Sequence, residues 1–151
     1  MKYLFFLIIA VFAIASCNNA GDDSESPRNL EALRKDSAKF TTVQWLDTAY
    51  NFGAKKMGDV VNITFRCKNT GDKPLYLIDV RPSCGCTVAD YTKEPVAPGR
   101  EGRVDAQFDT KKSHAGDVHK SIFVTTNTAA GEGHRSLLFS GTVLADSATA
   151  K

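Results

Sequence analysis

The sequence predicts an all-β fold, an antiparallel β-sandwich of about seven strands, over residues 41–146. Three observations lead to this prediction. Apolar and polar residues alternate with a period of two, turn-forming residues separate the alternating segments at regular intervals, and no helical pattern lies among them. Short strands with regularly spaced turns are typical of sandwiches, and a small open barrel is the main competing architecture.

Two segments, residues 61–68 and 103–108, carry the alternation most clearly. Residues 75–80 are apolar on both faces, which predicts a central, covered strand. Weaker strand candidates lie at 86–91 and 122–126, and a last strand lies around 137–143. The side chains expected to face the core are Val61, Ile63, Phe65, Cys67, Val104, Ala106, Phe108, Ile122, Val124, Leu137, Phe139, Gly141 and Val143. Those expected to face solvent on the 103–108 strand are Arg103, Asp105 and Gln107.

The first sixteen residues predict a cleaved export signal. Lys2 precedes an apolar run over residues 3–14, and small residues follow it. The run is shorter than the ~20 residues that a membrane-spanning helix needs. Residues 14–17, Ile-Ala-Ser-Cys, resemble the bacterial lipobox. That resemblance implies that Cys17 is acylated, with palmitate or a similar chain, and becomes the first mature residue.

The chain therefore divides into a signal peptide at 1–16, a lipid-anchored tether at 17–40, the sandwich at 41–146 and a tail at 147–151. Within the tether, Ser26 and Pro27 are suited to begin one short helix. Two or more acyl chains hold a protein stably on a membrane, so we expect a cell-envelope protein. Asn18 after the cysteine favours the outer membrane, and both the periplasmic face and the cell surface remain open.

Composition and motifs exclude several classes of function. The chain has 19 basic and 17 acidic side chains, interspersed and without a basic stripe, so nucleic acid is not an expected partner. His114, His119 and His134 stand in no catalytic spacing, and no phosphate loop or nucleophile motif occurs. We therefore expect no catalytic residues, no cofactor and no enzymatic activity.

Three cysteines remain beside the lipid-carrying one, an odd number for an oxidising compartment. Cys84 and Cys86 flank a single glycine. Four interpretations stay open: a redox-active disulfide, a copper(I) or zinc site with a further ligand, a covalent staple, or two small buried residues. Arg81 nearby would favour a thiolate. Cys67 is expected in the core, and a bridge from it would need a Cα separation of about 4.4–6.8 Å.

Residues 65–126 resemble the bacterial family called domain of unknown function 1573. The matching residues are Lys68, Asn69, Thr70, Gly71, Pro74, Leu75, Val80, the run Ser83-Cys84-Gly85-Cys86-Thr87, Tyr91, Pro98, Gly99, Gly102, Phe108, Gly116, Lys120, Val124, Thr125, Thr126 and Asn127. The resemblance implies an immunoglobulin-like domain, common in secreted and lipid-anchored proteins of Bacteroidetes, with no established activity. Cys67 departs from the large apolar residue that is more frequent there, so no role is carried over to it.

Two functional hypotheses follow. The first is a non-catalytic binding or scaffolding module that meets a protein or glycan partner, because Phe123, Trp45 and Tyr91 are candidates for partial exposure and aromatic side chains are enriched in recognition surfaces. The second is a thiol redox or copper/zinc-handling protein that uses Cys84 and Cys86. Buried sulfurs would favour the first, and an exposed cleft shared with a histidine would favour the second.

Overall fold

The computed structural model describes residues 30, 32–129 and 132–145. Eight strands form two facing four-stranded sheets, which confirms the all-β sandwich with one strand more than expected. The strands are β1 (Val43–Trp45), β2 (Ala49–Lys56), β3 (Val60–Asn69), β4 (Leu77–Pro82), β5 (Thr87–Tyr91), β6 (Glu101–Asp109), β7 (Gly116–Thr126) and β8 (His134–Leu144). The predicted signal peptide, Cys17 and residues 18–29 lie outside the described residues. No helix within the described ranges has the length and hydropathy to cross a membrane.

The strand order is β1-β3-β6-β5 in one sheet and β2-β8-β7-β4 in the other. The pairing is antiparallel as predicted except at one place, where β2 and β8 run parallel. An antiparallel pair follows naturally when a short hairpin joins two strands. No hairpin joins β2 to β8, which lie at opposite ends of the domain sequence, so their relative direction is free to be parallel.

The predicted alternation on β3 and β6 is confirmed. Val104, Ala106 and Phe108 are at most 2% exposed, whereas the alternate residues on β6 face outward. The Phe108 ring lies 5.6 Å from that of Phe52 on β2 and 5.5 Å from that of Phe139 on β8. Phe108 therefore joins the two sheets at the centre of the core.

The prediction that residues 75–80 form a central strand is wrong. The segment contributes β4, which stands at the edge of its sheet and pairs with β7 alone among the described strands. Ile78 falls at a register shift between Leu77 and Asp79, so one apolar residue belongs to a bulge rather than to a second buried face. Leu75, before the strand, is fully buried and pairs with Val96 of the loop that follows β5.

A fully buried asparagine, Asn69, holds one end of the sandwich together. Its side-chain Nδ2 donates to the carbonyl oxygens of Lys73 (2.7 Å) and Val96 (2.8 Å). Its Oδ1 accepts from the Thr41 hydroxyl (3.0 Å) and the Gly71 N–H (3.1 Å). An amide offers two donors and one oxygen with two lone pairs, so Asn69 uses its whole hydrogen-bonding capacity.

Asn127, also fully buried, links the segment that leads into the domain to the sandwich. Its Nδ2 donates to the carbonyl oxygens of Lys39 (2.8 Å) and Pro74 (3.0 Å), and its Oδ1 accepts from the Tyr76 N–H (2.7 Å). Leu33 is 2% exposed. Part of the sequence before residue 41 thus packs on the sandwich.

Candidate binding face and disulfide crossover

The Cys84–Cys86 pair lies in the four-residue crossover that carries the chain from β4 in one sheet to β5 in the other. The two cysteines form a disulfide with their Cα atoms 5.3 Å apart. Before the pair, the Ser83 N–H donates to the Ser121 carbonyl oxygen of β7 (2.9 Å). After it, the Cys86 carbonyl oxygen accepts from the Asp109 N–H at the end of β6 (2.9 Å). The disulfide therefore closes a turn whose two ends are fixed to different sheets.

The surroundings of the two sulfurs are those of a structural disulfide rather than of a reactive thiol site. Cys86 is 7% exposed and Cys84 is partly buried against the core. The neighbouring hydroxyl is that of Thr87, 3.6 Å from the Cys84 sulfur. Arg81, which the sequence offered as a thiolate-stabilising cation, is paired with Asp79 at 2.8 Å. Sulfurs bonded to each other do not ligate a metal as thiolates, and the described residues contain no cluster of three metal-binding side chains.

Cys67 is the free cysteine of the described chain and is fully buried on β3. Its Sγ lies 3.6 Å from the Gly102 carbonyl oxygen. Burial raises the pKa of the Cys67 thiol to about 11, so the thiol stays protonated at neutral pH. No bridge joins it to the crossover, because Cys84 and Cys86 are bonded to each other.

The outer face of the β2-β8-β7-β4 sheet is the candidate binding surface, which we call the open face. Phe123 on β7 and Leu138 on β8 point away from the core and are 53% and 52% exposed. Ser121 is paired with Leu138, and Phe123 with Ser136, so the two apolar side chains are diagonal neighbours across these strands. Diagonal neighbours lie about 7–8 Å apart, close enough for aromatic and long side chains to contact each other.

Leu138 lines an open groove of about 700 Å³ together with mostly polar residues. The groove is lined by Ala49, Tyr50, Asn51, Ser83, His119, Lys120, Ser121, Leu138, Phe139 and Ser140. Hydroxyl, amide and imidazole groups both donate and accept hydrogen bonds, and the apolar side chains offer surface to bury. A surface of this mixed character can hold a ligand or partner by hydrogen bonds and by apolar contact.

The aromatic residues and histidines singled out in the sequence are distributed over the molecule. Phe123 is 53% exposed, and Trp45 and Tyr91 are partly exposed as predicted, each packing one part of its side chain against the core. His119 lines the groove. The His134 Nδ1 lies 3.2 Å from the Thr125 hydroxyl, so it is far along the sheet from His119.

Leu138 is the binding-face residue that the sequence interpretation missed. With Leu137, Phe139, Gly141 and Val143 directed inward, Leu138 must point outward, where a polar residue is expected. Ser83, Ser121 and Ser140 give no such signal, because serine is ordinary on a solvent-facing strand. Their role depends on strand pairing, which a single sequence does not contain.

The family described as "Protein of unknown function (DUF1573)" matches residues 43–143, which span β1 to β8. The chain belongs to the DUF1573 family. The resemblance predicted from the sequence is thereby confirmed, and two of the matching asparagines, Asn69 and Asn127, are the buried hydrogen-bonding residues described above. No curated protein matches this DUF1573 chain in sequence.

Solved structures share its fold. A protein of unknown function from Porphyromonas gingivalis W83 is 16% identical with a TM-score of 0.61, covering 71% of this chain and 49% of that one. The ASH/PapD-like domain 7 of human CEP192 is 12% identical with a TM-score of 0.53, covering 72% and 89%. The Vibrio cholerae VesB protease is 15% identical with a TM-score of 0.54, covering 76% and 35%. The chain spans about half the length of the Porphyromonas protein. These likenesses confirm an immunoglobulin-like, PapD-like sandwich for the DUF1573 chain.

Proposed function

We propose that this DUF1573 protein is a lipid-anchored cell-envelope protein that acts as a non-catalytic binding module. The observation that carries the proposal is the open face, where Phe123 and Leu138 are half exposed beside a groove of about 700 Å³. Interface centres are enriched in aromatic side chains and depleted of charge. A protein partner fits that pattern best, and a glycan is the alternative.

The disulfide supports the same proposal. A redox or copper/zinc-handling role would need accessible thiolates or further ligands, whereas the Cys86 side chain is buried and its bond closes a structural turn. The thiol alternative therefore has no observation in its favour.

Covalent capture in native membranes tests the binding role. We would crosslink the full-length protein and identify what is bound, comparing wild type with the double variant Phe123→Ser, Leu138→Ser. The matched control is Val60→Ser, because Val60 is 57% exposed on the outer face of the other sheet. A partner retained by the wild type and the control but lost from the double variant supports the proposal. Equal capture by all three proteins contradicts it.

The lipid anchor has its own measurement. Intact-mass analysis of membrane-extracted protein should show a chain that begins at Cys17 and is heavier by its acyl groups. Cys17→Ala should block processing or release the protein from the membrane. A soluble mature chain cleaved at another position would exclude the anchor while leaving the binding role open.

A further inference from the structure

The four sheet edges differ in how well they are protected from a further strand. β1 is only three residues long. β2 contains a register shift around Gly53, whose φ is 66°, and ends in Lys55 and Lys56. β4 contains the bulge at Ile78 and ends at Pro82. Short length, bulges, lysine and proline are the usual devices that prevent edge-to-edge pairing.

β5 has no bulge, lysine or proline, and its one charged side chain is the exposed Asp90. Its five residues pair with β6 without a register shift, and its sequence contains neither proline nor lysine. Val88 on this strand is 67% exposed, the highest exposure among the large apolar residues of the described chain. Within the described residues, β5 pairs on one side only.

The hydrogen bonds at the two ends of β5 establish which of its backbone groups are free. The Asp109 N–H donates to the Cys86 carbonyl oxygen, and the Thr92 N–H donates to the Arg103 carbonyl oxygen. Hydrogen-bonded and non-hydrogen-bonded residues alternate along an antiparallel pair. Val88 and Asp90 lie an even number of residues from Cys86 and Thr92, so their backbone N–H and C=O groups face β6. The N–H and C=O groups of the intervening Ala89 therefore point to the open edge.

Side chains on the outer face give this edge a definite chemistry. Val88 and Asp90 both point outward, two positions apart, and Asp90 is paired with Asp105 of β6. Arg103 binds Asp105 at 2.8 Å, whereas the nearest cation to Asp90 is the exposed Lys93 at 3.3 Å. Hydrogen bonding by the Tyr91 backbone and Lys93 lowers the pKa of Asp90. A strand added beside β5 would thus meet an apolar side chain and a carboxylate on the same face.

We propose that the open edge of β5 binds an extended segment of a partner protein, which adds to the sheet as a further strand. The segment places an apolar side chain beside Val88 and a basic side chain beside Asp90, two residues apart. Its backbone pairs with the free N–H and C=O of Ala89. Backbone pairing supplies affinity and the alternate side chains supply selectivity, as in other cases of strand addition. This surface is separate from the open face, so either proposal can fail alone.

Fluorescence polarisation with synthetic peptides tests the proposal on the folded protein. The probe is a seven-residue peptide in which valine, lysine and valine alternate with threonine. One comparison peptide has glutamate in place of lysine, and a second is methylated at alternate backbone amides. We expect the lysine peptide to bind roughly fivefold or more tightly than the glutamate peptide, the upper range for an exposed ion pair. The methylated peptide should not bind.

Two variants locate the site. Ala89→Pro removes an N–H that β6 does not use, so it should abolish binding while the β5–β6 pairing is retained. Asp90→Lys lies at an exposed position and should reverse the preference in favour of the glutamate peptide. This second variant keeps the test informative if the proline variant does not fold.

Several results would overturn the proposal. One is binding of the methylated peptide as tightly as its parent, and another is no binding of the lysine peptide at millimolar concentration. An unchanged peptide preference in Asp90→Lys would exclude the carboxylate contact. A concentration-dependent dimer in the ultracentrifuge that Ala89→Pro abolishes would show that a second copy of this chain, not another protein, occupies the edge.

Discussion

Replacing Asn69 with alanine should cost about 3–5 kcal/mol of the free energy of unfolding. The substitution removes both donors and the acceptor at the centre of the loop network. The Val96 carbonyl oxygen keeps one partner, the Leu75 N–H at 2.9 Å. The Lys73 carbonyl oxygen, the Thr41 hydroxyl and the Gly71 N–H each lose the Asn69 side chain as a partner. Each buried polar group left unpaired costs about 1–3 kcal/mol. The total free energy of unfolding of a domain is about 5–15 kcal/mol, so this loss would be a severe destabilisation.

Asn69→Asp makes the same test sensitive to pH. One oxygen of the new carboxylate can still accept hydrogen bonds, but the other faces the carbonyl oxygens of Lys73 and Val96. This repulsion disfavours the charged form and raises the pKa of the aspartate in the folded state. The destabilisation is therefore present at neutral pH and shrinks as pH falls through that raised pKa towards the unfolded value of about 3.9. A protonated carboxyl can donate one of the lost hydrogen bonds.

Urea unfolding measures both variants, with the fluorescence of Trp45, the single tryptophan, as the signal. The matched control is Asn62→Ala on the outer face of β3, which should change stability by no more than about 0.5 kcal/mol. A loss below about 1 kcal/mol for Asn69→Ala, or a loss equal to that of the control, would refute the reasoning. So would an Asn69→Asp penalty that does not change between pH 7 and pH 4.

Two further predictions concern the core and the cysteines. Phe108→Ala should cost about 3–5 kcal/mol in the same unfolding assay, because it empties a large site between the sheets, and Gln107→Ala is the matched control; a loss below about 1 kcal/mol would mean that the β6 register is incorrect. In alkylation followed by mass spectrometry, Cys84 and Cys86 should react only after reduction and Cys67 only after denaturation, since its pKa is about 11; labelling of Cys67 in the native protein would contradict its burial.

The fold could be predicted where a strand has one buried face. β3 and β6 bury every second residue, so their sequence alone indicates the register. β2 could not be found in this way, since Phe52 is its one buried residue in eight. The prediction of a central strand at 75–80 was wrong because its apolar residues are divided between two places. Leu75 lies in the loop before β4, and Ile78 lies in the bulge.

The candidate site was less accessible to sequence analysis. The alternation that placed Phe123 outside also places Leu138 outside, so two residues of the open face could be inferred. The proximity of Leu138 to Ser83 and Asn51 depends on pairing between strands distant in sequence, which composition and periodicity do not specify. For the cysteines, the sequence left a staple, a redox pair and a metal site open. The pairing of Cys84 with Cys86 and the ion pair of Arg81 favour the staple.

The parallel pairing of β2 with β8 has a consequence for how the domain folds. β8 lies in the interior of its sheet, between β2 and β7, and it is the last strand of the described residues. β7 can pair with β4 before β8 is available, but β2 has no other partner among the described strands and stays unpaired until then. Contacts between such distant segments require a large loop-closure entropy to be overcome, and folding rates fall as contact order rises. The domain should therefore remain without a complete core until β8 has been synthesised.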